Sequence, residues 1–114
     1  GSTSFTTESG CVSGWKTGHI IPGGSLYNRW LYVTQTVSTS FDQLKTYLNG
    51  QYVGAISLGA STPNASNGMT IGRGYYGGVR YTPGRVSFVR YYNRVLSDLE
   101  ILHNFNALRG RFNL

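Results

Sequence analysis

The chain has 114 residues, enough for one domain with a modest core and too few for a second. Only 12% of the residues are charged, while glycine numbers 16 and tyrosine nine, a composition that suits strands and tight turns better than helices. One cysteine, Cys11, excludes an internal disulfide and a thiolate metal cluster, and no apolar run is long enough to cross a bilayer, so the chain reads as soluble and without membrane insertion. The net charge of +6 is uneven: residues up to Ser57 carry +1, and the remainder, with seven arginines against Asp98 and Glu100, carries +5. That field favours acidic partners without choosing among nucleic acid, anionic glycan and protein.

Residues 1–28 are rich in Ser, Thr and Gly and read as an irregular lead-in with one or two short strands, closed by the turn at Pro22-Gly23-Gly24. From Arg29 to Val37 the run Arg-Trp-Leu-Tyr-Val-Thr-Gln-Thr-Val alternates Trp30, Tyr32, Thr34 and Thr36 with Leu31, Val33, Gln35 and Val37, which predicts a strand. Leu44 to Leu48, Asn49-Gly50 and Gln51 to Leu58 together predict a hairpin, because Asn-Gly supplies the two positive φ angles of a type I′ turn. A polar loop from Gly59 to Asn67 precedes a short strand at Gly68 to Gly72. The glycine and tyrosine stretch from Arg73 to Tyr81 then reads as a long loop or irregular hairpin.

After the turn at Pro83-Gly84, a β-rich run extends through Tyr92 as the final strand. Ser97 and Glu100 have capping-box spacing, so a helix is expected over 97–110, with Gly110 as its stop. Ile101, Phe105, Leu108 and Phe112 fall on one face of that helix, which should lie on the body of the domain.

In order along the chain, Asn-Arg-Trp-Leu-Tyr-Val at 28–33, Leu-Lys-Thr-Tyr-Leu-Asn-Gly-Gln-Tyr-Val-Gly at 44–54, Met-Thr-Ile-Gly-Arg-Gly at 69–74 and the stretch from Gly84 to Ser97 resemble the laminin-G-like branch of the concanavalin A-like lectin and glucanase superfamily. The resemblance implies an all-β fold: an antiparallel two-sheet jelly-roll sandwich over residues 1–114, abbreviated at its N-terminus and ending in one C-terminal α-helix. An open sheet edge is expected where early strands are missing. Where relatives carry an acidic pair before the Val-Arg of the final strand, this chain has Ser87-Phe88, which makes Phe88 a candidate for packing on a neighbour or on a neighbouring strand. The tail from Glu100 to Phe112 is similar to the ending of such domains in structural proteins of tailed bacteriophages.

The chemistry-bearing motifs are sparse. Gly72-Arg73-Gly74-Tyr75-Tyr76-Gly77 matches a dinucleotide-binding glycine pattern, but no helix can start in the residues that follow, so no cofactor is expected. The only carboxylates are Glu8, Asp42, Asp98 and Glu100. With Asp98 and Glu100 assigned to the helix cap and Asp42 to a turn, glycoside hydrolysis by a carboxylate pair and calcium binding are both disfavoured. His19 and His103 have no companions in the sequence that would make a metal site. Asn64-Ala65-Ser66 is a formal glycosylation acceptor that arises easily in a Ser/Asn-rich loop.

Binding is the open question. Tyr75, Tyr76 and Tyr81 with Arg73 and Arg80 form either an aromatic platform with cationic edges, suited to sugar rings or a protein partner, or the rim packing of a small sandwich. Arg85, Arg90 and Arg94 read either as an outer-face contact stripe or as solvated charge. No recognised nucleic-acid module is present, so nucleic acid is disfavoured. The expected function is a non-catalytic virion structural protein, a head decoration or fibre component held by other virion proteins and by copies of itself. A lectin-like module engaging cell-surface glycans is the alternative.

Overall fold

A computed structural model of the chain describes residues 28–59, 71 and 84–114 together with two N-terminal strands, β1 (Ser4–Cys11) and β2 (Gly14–Pro22). Those strands pair antiparallel from Ser4↔Pro22 to Cys11↔Gly14, with one extra residue on β2 where the register shifts between Thr6 and Glu8. The lead-in expected to be irregular with short strands therefore carries a hairpin of eight and nine residues.

The central sheet is an antiparallel meander of β3 (Val33–Ser38), β4 (Gln43–Leu48) and β5 (Gln51–Ser57), in the order β3-β4-β5. Its β4–β5 turn forms as the sequence predicts, with φ of 50° at Asn49 and 77° at Gly50. Asn49 also reaches beyond the turn. Its Oδ1 accepts from the Tyr32 backbone N–H at 3.0 Å and its own N–H donates to the Tyr32 carbonyl at 2.8 Å, continuing the β3–β4 ladder past its last pair. The strand predicted from Arg29 thus begins at Val33, and Trp30 lies just before it. A bulge at Val53 shifts the β4–β5 register between Thr46 and Tyr47.

Paired residues share a face of the sheet, so alternation along β4 sorts the core into two halves. On one face Leu44 and Leu58 are fully buried, with Val37 and Ile56 packed against them. On the other, Tyr47 is buried with Leu96 and Ile101. β2 runs close to β4 and β5.

The second face is covered by α1 (Asp98–Leu108). Its start is the capping box read from the sequence: Ser97 Oγ accepts from the Glu100 N–H at 3.2 Å, and Glu100 Oε2 accepts from the Ser97 N–H at 2.8 Å. Ile101 and Phe105 are its buried residues, as the spacing requires, while Leu108 and Phe112 are half-buried. The predicted stop is displaced. Gly110 lies inside a 3₁₀ turn, Arg109–Phe112, and the left-handed residue that closes it is Asn113, at φ 56°. Gly50 lets the helix approach the sheet: a Cβ there would stand 2.9 Å from Phe105 Cδ1 and 3.1 Å from Phe105 Cβ.

The predicted final strand is corrected. Residues 85–97 form no ladder with β1 to β5, yet their side chains keep a strand-like period of two. Phe88 stacks on Tyr32, Arg90 covers Phe88, Tyr92 Oη accepts from Asn104 Nδ2 at 3.2 Å, Arg94 pairs with Glu100, and Leu96 is buried. Among the described residues, Phe88 on Tyr32 and Tyr92 and Arg94 on the helix hold this segment, and no backbone ladder does.

Candidate functional site

The strand-period segment and the helix bring together residues far apart in sequence. Trp30 and Tyr32 sit two apart ahead of β3, Phe105 and Phe112 sit seven apart across α1 and its 3₁₀ extension, and Phe88 lies between. Ring centroids are 5.3 Å apart for Trp30–Phe112, 6.0 Å for Phe112–Phe88, 5.7 Å for Phe88–Tyr32 and 5.8 Å for Tyr32–Phe105. All four spacings fall in the range of favourable tilted or edge-to-face contacts. Arg90 lies over the Phe88 ring with its guanidinium carbon 5.7 Å from the centroid, and Arg109 lies over Phe105 at 5.2 Å. Trp30 and Phe88 each keep 39% of their surface exposed, so the row is a surface feature as well as a packing one. Burial raises the Tyr32 hydroxyl above its ordinary pKa, and the nearby Arg90 charge partly offsets this.

Of the residues proposed from sequence for contact, Phe88 joins this row. Arg73, Tyr75, Tyr76, Arg80 and Tyr81 lie outside the described residues. Sequence reasoning did not nominate Trp30, Phe105 and Phe112 as a site, although it placed Trp30 and Tyr32 on one strand face and Phe105 and Phe112 on one helix face. That those two faces meet is tertiary information.

Three carboxylates are described, and each is held by a neighbour. Asp42, at φ 50° in the β3–β4 turn, accepts from the Ser57 hydroxyl, and its carbonyl accepts from the Leu58 N–H at 3.2 Å. Asp98 Oδ1 accepts from the Tyr47 hydroxyl at 2.6 Å, so a residue assigned from sequence to the helix cap ties the helix to the sheet. Burial, and then this bond, push the Tyr47 hydroxyl far above its ordinary pKa. Glu100 takes both guanidinium nitrogens of Arg94 at 2.9 Å each, and those bonds, with the Ser97 N–H, pull its carboxyl down to about 2.

A concavity of about 390 Å³ opens between β3–β4 and the residues before the helix. Thr36, Ser38, Gln43 and Lys45 line it from the sheet, and the Phe41 ring, 78% exposed, stands at its mouth. Among the described residues no three His, Cys, Asp or Glu side chains converge as metal ligands would. No described helix is long and apolar enough to cross a membrane.

Residues 2–102 match the laminin-G family model described as the concanavalin A-like lectin/glucanases superfamily. Among solved structures, the chain is similar to the crystal structure of an S-layer domain-containing protein (residues 221–444) from Clostridium thermocellum ATCC 27405, at 21% identity and a TM-score of 0.57. The likeness covers 90% of this chain and 50% of that one, so the chain spans half the length of its structural neighbour, and at this identity what the two share is the fold. A search of curated protein sequences finds no match.

Proposed function

The chain belongs to the concanavalin A-like lectin/glucanase superfamily, and from that premise we propose that it is a non-catalytic contact module, a structural component of a tailed-phage particle that works through protein surfaces. The observation that carries the non-catalytic part is the disposition of its carboxylates. Glycoside hydrolysis in such folds needs two carboxyl groups facing each other across a cleft about 5 to 10 Å wide, one of them free to protonate the leaving group. Here Asp42 is held by Ser57, Asp98 by Tyr47 and Glu100 by Arg94 and Ser97, which leaves Glu8 to serve without a second member. The surface points to contact instead: aromatic rings and arginines are the residue types enriched where proteins meet, and the Trp30–Phe112–Phe88 row with Arg90 presents both. The virion assignment rests on the similarity of residues 100–112 to the tails of phage structural domains, and the localisation in a particle follows from it.

Carbohydrate binding is the second reading, favoured by the cleft of Thr36, Ser38, Gln43 and Lys45. Hydroxyl, amide and ammonium groups beside one exposed ring, Phe41, suit a sugar's hydroxyls and its apolar face, and the volume accommodates a small ligand.

One experiment separates these readings and catalysis. The purified chain is placed on a glycan array and incubated with soluble β-glucans while reducing ends are counted. The contact-module reading expects no released sugar and no specific retention. Retention lost in Phe41→Ala and Gln43→Ala establishes the lectin reading, and steady release of reducing ends overturns both.

A further inference from the structure

The segment 85–92, Arg-Val-Ser-Phe-Val-Arg-Tyr-Tyr, is built for a β-ladder and pairs with none of the described strands. Five of its eight residues are β-branched or aromatic and favour extended backbone, and none is acidic. Phe88 and Tyr92 hold one side of it on Tyr32 and the helix, with Arg90 laid over Phe88, so this side of the segment is anchored. The opposite side stands in solvent: Val89 is 48% and Tyr91 80% exposed. Unpaired backbone donors and acceptors along such an edge are a template for an incoming strand.

We propose that this edge takes up an extended strand of a different polypeptide, one that carries acidic residues among apolar ones. Main-chain hydrogen bonds supply the affinity of this recognition mode and alternate side chains supply its selectivity. Charge decides the occupant. Arg85 and Arg90 flank the exposed Val86, Phe88 and Val89, and Arg94, beyond the segment, already has its carboxylate in Glu100. A second copy of the chain would bring the same arginines and no carboxylate to the seam, whereas an acidic strand brings a carboxylate to Arg85 on the side that faces solvent. The inference rests on the contact-module reading and names the chemistry of the partner.

The test uses the full chain and two synthetic end-capped peptides of strand length (roughly six residues), one alternating glutamate with valine and threonine, the other its lysine counterpart. Titration followed by amide NMR is expected to show the glutamate peptide binding with shifts confined to residues 85–92 and their neighbours. Binding should weaken about tenfold in Arg85→Glu and be lost in Val89→Pro, which removes an edge donor. Arg85→Glu alters only an exposed side chain, so it keeps the test valid if the proline variant misfolds. No binding, equal binding of the lysine peptide, shifts centred elsewhere, or self-association that protects residues 85–92 would each overturn the proposal. A chain present in particles but blind to the glutamate peptide keeps the contact-module reading and loses this partner.

Discussion

The Tyr47 hydroxyl donates to Asp98 Oδ1 at 2.6 Å, joining the middle strand of the sheet to the first residue of the helix across 51 residues of sequence. Tyr47 is 1% exposed and shares its core with Leu96 and Ile101, so this bond sits where the helix meets its half of the core. Tyr47→Phe keeps the ring and removes the donor. Chemical denaturation should show a loss of about 1.5 to 3 kcal/mol, the usual range for a hydrogen bond to a charged group.

The same bond gives a signature at high pH. The Tyr47 hydroxyl is raised above its ordinary value of 10.0 in the folded chain, so the folded state holds this proton more tightly than the unfolded one. Its contribution is complete below about pH 10 and is lost as the pH rises beyond. The stability curve of Tyr47→Phe should fall less steeply above pH 10 than that of the unmodified chain, and parallel curves would place the ionisation elsewhere.

At low pH the sign reverses. Arg94 and Ser97 lower the Glu100 carboxyl from 4.5 to about 2, so stability from its ionised form is present above pH 4.5 and is lost as the pH falls toward 2. Glu100→Gln should flatten that acid limb. Ser97→Ala, which removes the acceptor for the Glu100 N–H, should cost about 1 kcal/mol at neutral pH and reduce helical circular dichroism.

Gly50 is where the hairpin turn touches the helix. Its φ is 77°, and a Cβ added there would lie only 2.9 Å from Phe105 Cδ1, so Gly50→Ala combines left-handed strain with overpacking against Phe105. Thermal unfolding should show a loss of roughly 2 to 4 kcal/mol. Gly110→Ala, with nothing within 4 Å of its Cβ position and no positive φ, should be near neutral.

The ring row can be read through Trp30. In a Trp15→Phe background it is the only tryptophan. Phe112→Ala should then shift its emission to the red, because the ring 5.3 Å away is replaced by water. The loss of stability should be about 0.5 to 1.5 kcal/mol for each ring contact removed.

Local chemistry explains which parts of this fold were legible in the sequence. The Asn49-Gly50 turn and the Ser97–Glu100 capping box are decided by residues within four positions of one another, and both formed where expected. The run from Arg85 to Tyr92 shows the limit: its β-rich composition was legible, but a ladder also needs a partner strand, which no local pattern specifies. The same holds for the site. Spacing placed Trp30 with Tyr32 and Phe105 with Phe112, while the meeting of those faces over Phe88, and the bond from Tyr47 to Asp98, depend on how the helix is laid on the sheet.

The central claim, a non-catalytic component of a phage particle, is tested most directly by mass spectrometry of intact, purified particles produced from the genome that encodes the chain. The account predicts the chain in many copies per particle, at a constant ratio to the major structural protein through successive purification steps. Its absence from purified particles, with the chain recovered only in the soluble lysate, would contradict the account.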